Sequence, residues 1–464
     1  MRHVRHPLGA LGALTLVGMC AHALAESPRS GGTATTGIHD TSAFSLPAPS
    51  LPVTRRGDFF AGNSFFKNPW VPAPASTTAR DGLGPLFNTN TCQSCHLKDG
   101  RGRPPEPGET MTSMLVRVSV PGPSEPGAIE TRRGVTPDAV YGDQLQNRAN
   151  PGVAPEARID VTWETMHGRF ADGSEYTLQK PRLRVSELGY GALRSDAMLS
   201  PRVAPALIGL GLLEAVPEAQ IQRRVDPDDA DRDGISGRAN YVWDESRGAR
   251  ALGRFGWKAG QPKLRQQVAA AFAGDLGLTT SLFPEQPCTA SQSACARGPH
   301  GGAPEVDDRI LDLVTFYVRA LGVPARRKTQ LTAVQRGEAL FRSAGCTSCH
   351  VESMRTGKSE TFPWFANQEI HAYTDLLLHD MGEGLADGRP EFQATGREWR
   401  TPPLWGIGLI PIVSRHTRYL HDGRARNLQE AILWHGGEAE KSRRFFESLD
   451  ATQRDELLFF LDNL

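Results

Sequence analysis

Two five-residue stretches carry the chemistry most plainly: "CQSCH" at 92–96 and "CTSCH" at 346–350. In C-x-x-C-H, two thiols stand one helical turn apart, within reach of the two vinyl groups of one porphyrin. The histidine that follows can face the iron. A zinc knuckle or a redox dithiol would account for a single C-x-x-C. It accounts poorly for two copies, each followed by histidine. The spacing therefore predicts two covalently bound haem c groups, tethered at Cys92, Cys95, Cys346 and Cys349, with His96 and His350 as iron ligands. Cys288 and Cys295 flank "TASQSA", and in an oxidising compartment this close pair is expected to form a disulfide.

A second chemical signal is "DPDDADRDGISGRAN" (226–240). Asp229, Asp231 and Asp233 alternate and Gly234 follows, as in the first half of an EF-hand-type loop. Oxygens converge there on calcium, and the glycine permits the turn. Asn240 stands where the closing glutamate would be, so bidentate closure is lost. The competing reading is a solvated acidic turn. Calcium is the expectation, because five aspartates in eight residues repel one another without a cation.

These groups need elements to hold them. The first 25 residues read as an export signal: Arg2 and Arg5, the apolar "LGALGALTLVGMC", and "ALA" before Glu26, with cleavage after Ala25. The apolar stretch is too short to span a bilayer, and no second one exists, so no stable membrane insertion is expected. Acidic and basic residues balance at 52 each, which supplies no basic field for nucleic acid. Residues 304–322 carry Val306, Ile310, Leu313, Val314, Tyr317, Val318 and Leu321 at helical spacing. Thr332, with Gln335 three residues on, reads as a capping box opening another helix. Gly337 in that helix would permit close packing against an amphipathic helix at the C-terminus. "RGDFF" (56–60) pairs with "RGEALF" (336–341), and "APALIGLGL" (204–212) with "TPPLWGIGL" (401–409), so each half looks like one haem module. The expected fold is mainly α. It has a flexible segment over 26–53, an N-terminal cytochrome c-like domain over 54–323 with long loops and insertions, and a C-terminal one over 324–464.

Together with "GRFGWKAGQP" (253–262), "LLLHDMGEGLADG" (376–388) and "YLHDGRARNLQEAILWHGG" (419–437), these motifs make most of residues 54–464 resemble the di-haem cytochrome c peroxidases. More narrowly, the chain resembles their thiol oxidoreductase-like di-haem branch. In that family an H-D-G turn precedes a helix and then a methionine that ligates the C-terminal haem. Here the turn is His421-Asp422-Gly423, and His435 takes the methionine's place. The resemblance thus implies a bis-histidine iron between His350 and His435, of lower potential than a Met-ligated one. His379 and His421 are rivals for that position. Where the family caps its resting first haem from Gly-His-Gly, this chain has Gly189-Tyr190-Gly191, with His167 as a poorly matched alternative. Haem 1 is therefore expected to react and haem 2 to relay electrons. Glu214, just after "APALIGLGL", is the expected acid/base at haem 1, against a reading as a salt-bridged glutamate. Trp257 is a candidate bridge between haems, against a reading as core.

The implied activity is that of a periplasmic peroxidase-like oxidoreductase. It would draw electrons from a small periplasmic donor of cytochrome c or cupredoxin type and pass them to peroxide or another small oxidant. The alternatives are a non-catalytic di-haem electron carrier, and a haem oxygenase or protein-modifying enzyme, since the haem supplies the hard chemistry in each. A carrier needs a sixth ligand on both irons, and the sequence offers a strong one only for haem 2.

Overall fold

A computed structural model describes Met1 and residues 29–123 and 127–464. The expected export signal and its cleavage point at Ala25 lie outside these residues, Met1 apart. Two crossed helix pairs frame the molecule. Arg56–Lys67 packs on Asp308–Arg319, and Thr332–Ser343 packs on Ala451–Asp462. Each crossing turns on a glycine. A Cβ on Gly62 would lie 2.1 Å from the Leu313 carbonyl oxygen, and one on Gly337 would lie 2.0 Å from that of Glu456. Four residues after each glycine, Phe66 and Phe341 reach the histidines of the two C-x-x-C-H motifs, with ring centroids 6.2 Å from His96 and 6.3 Å from His350. The equivalent positions are thus Gly62–Phe66 and Gly337–Phe341. The pairing of "RGDFF" with "RGEALF" is out of register, because a shared Arg-Gly dipeptide does not decide which glycine meets the partner helix.

Asp307 caps its helix by accepting from the Ile310 amide at 2.8 Å. A reciprocal capping box forms at Asp450 and Gln453. The box expected at Thr332 and Gln335 does not form. Leu331 occupies the N-cap and Thr332 is already helical.

The expected mainly-α class is overturned: about 30% of the chain is helix and 18% strand, spread over several small sheets. The largest strand unit is a hairpin of Arg158–Arg169 and Glu175–Ser186, joined through Asp172 and Gly173, whose φ is +87°. Val161, Trp163 and Thr165 alternate along it, as strand residues do. From the first half of the chain it lies across the second. Arg454 meets Asp172 at 2.6 Å, and the Tyr176 hydroxyl donates to Glu447 at 2.8 Å.

The segment expected to be flexible over 26–53 is packed from Ser30 onward. Ala34, Phe44, Ala48 and Leu51 are buried, and Thr35–Thr36 pairs in parallel with Val323–Pro324. Its apolar residues are few, and Ile38 and Val53 are exposed, but the buried ones join the main core. The halves also exchange backbone hydrogen bonds. Val203 N–H donates to the His421 carbonyl at 2.8 Å, and Arg400 N–H donates to that of Trp257 at 2.9 Å.

Candidate functional site

Thr91 caps the single turn Cys92–Cys95 through a 2.9 Å bond from Ser94 N–H. That turn presents both thiols to an internal cavity of about 440 Å³, which Cys346 and Cys349 also line. None of the four is in a disulfide. Burial pushes the thiols of Cys92 and Cys346 up to about 12, and raises those of Cys95 and Cys349 as well. A reactive dithiol needs the opposite, a thiolate stabilised near neutrality. Cys288 and Cys295 are joined in a disulfide.

Three histidines in this cavity share one arrangement. Each holds a backbone carbonyl through Nδ1: His96 at Pro205 (2.8 Å), His350 at Tyr373 (2.9 Å) and His435 at Ala431 (2.7 Å). A carbonyl only accepts, so Nδ1 carries the proton and Nε2 keeps its lone pair, the tautomer an iron ligand requires. Burial depresses all three, His96 and His350 to about 4, so each is neutral at physiological pH.

The rivals behave differently. Both nitrogens of His379 meet carboxylates, Asp375 at 2.8 Å and Glu438 at 2.7 Å. Burial opposes charge there, but the two anions hold the imidazole well above its ordinary value, as an imidazolium with no lone pair to give. His421 stacks on Trp399, with centroids 3.6 Å apart. His167 is exposed on the long hairpin, and the Tyr190 hydroxyl is bound to the Ala154 carbonyl at 2.6 Å. Leu210 and Leu213 line the cavity, whereas the Glu214 carboxylate accepts from Leu264 N–H at 2.9 Å and pairs with Arg319 at 2.6 Å. Glu214 therefore caps the Leu264–Leu276 helix and stands as the salt-bridged alternative. Trp257 lines the cavity, donates to the Val203 carbonyl at 2.8 Å and lies 6.5 Å from His421 in an edge contact.

The structure also exposes a repeat that the earlier pairings missed. "RFGWKAGQPKL" (254–264) and "RYLHDGRARNL" (418–428) align at one constant offset and form the same turn. Phe255 bridges Gln261 as Tyr419 bridges Ala425, and φ is positive at Gly256 and Ala259 as at Leu420 and Gly423. Each turn delivers a helix to the cavity. Leu264 and Val268 of one stand where Leu428 and Ile432 stand in the other, all lining it. In this register Ala271 is the counterpart of His435. Gln267 and Asp275 lie on the same cavity-facing side as Ala271, and burial raises the Asp275 carboxyl. The shared arginine, aromatic and leucine of the two stretches were the signal for this repeat, but the differing turn residues obscure it.

In the acidic loop, carboxylate oxygens of Asp226, Asp229 and Asp231 lie within 4.8 Å of one another. Asp233, expected among them, instead caps Ile235 N–H at 2.8 Å.

The cavity suits a large, flat, partly anionic group. Among the described residues, Trp405 Nε1 lines it as a buried donor without a hydrogen-bond partner, and Arg202 Nη2, also from a lining residue, makes no hydrogen bond and lies 3.8 Å from Asp387. Such donors are costly unless an acceptor completes them. Paired thiols, neutral imidazoles and unfilled donors together match the thioether, iron and carboxylate chemistry of haem.

A family model described as "Di-haem oxidoreductase, putative peroxidase" matches residues 24–464. No curated protein matches the chain. No helix among the described residues is long and apolar enough to cross a membrane.

Proposed function

This chain belongs to the di-haem oxidoreductase family, and from that premise we propose that it is an exported peroxidase whose first haem reacts and whose second relays electrons. Haem supplies the redox chemistry, and the protein decides which iron face is accessible and what surrounds it. The carrying observation is the contrast between Ala271 and His435 at equivalent positions. His435 offers a lone pair towards haem 2. Ala271 offers only a methyl group and would supply no ligand to haem 1, which would leave room there for a small oxidant. Gln267 can hold that oxidant by hydrogen bonding. We assign proton transfer to Asp275 rather than Glu214, because a buried carboxyl with a raised pKa holds its proton closer to neutrality.

On this reading both haems are held as thioethers at Cys92, Cys95, Cys346 and Cys349, and the electron donor is a small periplasmic cytochrome c or cupredoxin. Trp257 and the Trp399–His421 stack provide aromatic edges between the modules. Calcium in the acidic loop, on Asp226, Asp229 and Asp231, is an accessory part of the reading.

The test is a spectroscopic titration of the purified holoprotein with and without peroxide. One high-spin and one low-spin haem, with rapid peroxide loss, is the expected result. Two low-spin haems that ignore peroxide in every redox state would reassign the protein as an electron carrier.

A further inference from the structure

Arg101 and Arg400 line the cavity and are only 9% and 7% exposed. Neither has a carboxylate within ion-pairing distance among the described residues. The hydrogen bonds of each guanidinium go to backbone carbonyls alone, and Arg101 also lies over the Trp257 ring, 5.1 Å from its centroid. Arg101 donates through Nε to Arg418 O at 3.0 Å and through Nη2 to Leu420 O. Arg400 donates through Nε to Gly256 O at 2.9 Å and through Nη1 to Thr401 O at 3.0 Å. Arg101 Nη1 and Arg400 Nη2 make no hydrogen bond within the described protein. Burial lowers both guanidinium groups to about 10, so both stay charged at neutral pH.

The two are reciprocal. Leu420 and Gly256 are equivalent residues of the two turns. Arg101 reaches from the first module to the second, and Arg400 reaches from the second to the first. Elsewhere the buried arginines are neutralised within the chain: Arg202 and Arg389 share Glu391 at 2.8 and 2.9 Å, and Arg424 holds Asp422 at 2.7 Å. A buried guanidinium cannot shed its proton, so a lasting one needs an anion. The carboxylates that act on them, Asp422 on Arg101 and Asp375 on Arg400, lie beyond ion-pairing distance and are bound by Arg424 and His379. Both guanidinium groups therefore keep capacity for carboxylates brought by a ligand, which planar N–H forks bind well.

We propose that Arg101 and Arg400 are a crossed pair of haem-propionate sites, each binding a haem carboxylate where the two modules meet. The proposal rests on the di-haem reading above. Its consequence is electrostatic. A guanidinium beside a propionate favours the reduced, more negative haem and keeps the propionate ionised, so each potential depends on an arginine that straddles the module boundary.

The experiment is spectroelectrochemistry on holoprotein carrying Arg101→Gln or Arg400→Gln, with Arg→Lys at each site as the charge-keeping control. Haem content should stay at two per chain, with both spin states unchanged. One haem in each Gln variant should fall in potential. At the wild-type midpoint its oxidised-to-reduced ratio should rise about tenfold, an order of magnitude being what loss of one close charge in a buried site produces. Its potential should also become pH-dependent as the freed propionate titrates, while the Lys variants stay close to wild type. Unshifted potentials with no pH slope in both Gln variants would overturn the proposal. So would wild-type behaviour of the Gln variants alongside a shift only on adding a free carboxylate such as acetate, which would assign the arginines to an exogenous anion. If a Gln variant does not fold, the Lys variant decides, since wild-type potentials with charge retained but Arg geometry lost support pairing and unrelated shifts oppose it. A wild-type protein lacking two haems would instead defeat the di-haem reading itself.

Discussion

At the scale of single residues, the proposed ligation turns on which side chain follows each turn into the cavity. Replacing His435 by Ala removes the lone pair offered to haem 2, so the low-spin signal of that haem should become high-spin in the visible and electron paramagnetic resonance spectra. The converse is more demanding. Ala271→His places an imidazole where His435 stands in the other module, and haem 1 should become low-spin with peroxide consumption lost. If peroxide turnover survives in a folded Ala271→His protein, haem 1 does not react through that face. Asp275→Asn should slow turnover by roughly 10²-fold, the usual contribution of a positioned acid/base, with haem content and spin states retained. Glu214→Gln should leave turnover intact. It should cost about 1–2 kcal/mol of stability, since it weakens a half-shielded ion pair with Arg319 and a helix cap. A Glu214→Gln protein that is stable but catalytically dead would reverse these assignments.

At the scale of elements, the two helix crossings are the joints that place Phe66 and Phe341 beside His96 and His350. Gly337→Ala drives a Cβ into the Glu456 carbonyl, and the backbone must move to admit it. A loss of at least ~2 kcal/mol is expected, read by denaturant titration, together with a changed haem 2 spectrum. A melting curve matching wild type would show that the crossing is loose. The acidic loop is a weaker element, because its carboxylates also cap their own backbone amides at Ala230, Asp233, Gly234 and Ile235. If calcium sits on Asp226, Asp229 and Asp231, saturating calcium should raise the melting temperature over a chelated sample by about one degree, the shift expected from ~1 kcal/mol of linkage in a chain of this length. Identical melts would remove calcium from the description.

At the scale of the whole molecule, the halves are joined by exchange: crossed backbone bonds, crossed arginines and a hairpin laid from one onto the other. One buried ion cluster makes this assembly pH-sensitive. His379 lies between Asp375 and Glu438, and Glu438 also binds Ser236 of the acidic loop at 2.6 Å. The folded pKa of His379 is raised well above 6.5, so its stabilisation is complete below about 6.5 and is lost as pH rises through the folded value. His379→Gln should therefore cost about 3 kcal/mol in mildly acidic solution, and the gap to wild type should close as pH rises. A gap that is constant with pH would show that the histidine is not charged.

What the sequence determined by itself was local covalent logic. The histidine after the H-D-G turn is singled out only by the family resemblance, whereas two C-x-x-C-H motifs and a close cysteine pair are readable because their spacing along the chain sets their spacing in space. The amphipathic helix around Val314 and the glycine at 337 were legible for the same reason. The strands were not legible although Val161, Trp163 and Thr165 alternate, because the hairpin is mostly exposed and half-buried, so its period-2 contrast between apolar and polar faces is weak. Only the tertiary structure decided that Glu214 turns to Arg319, that His379 is pinned between carboxylates, that Ala271 answers His435, and that Arg101 and Arg400 face the cavity with no carboxylate in ion-pairing distance among the described residues. Each of these depends on contacts between residues far apart in the chain. Burial and charge pairing there are properties of the packed whole, and no local pattern encodes them.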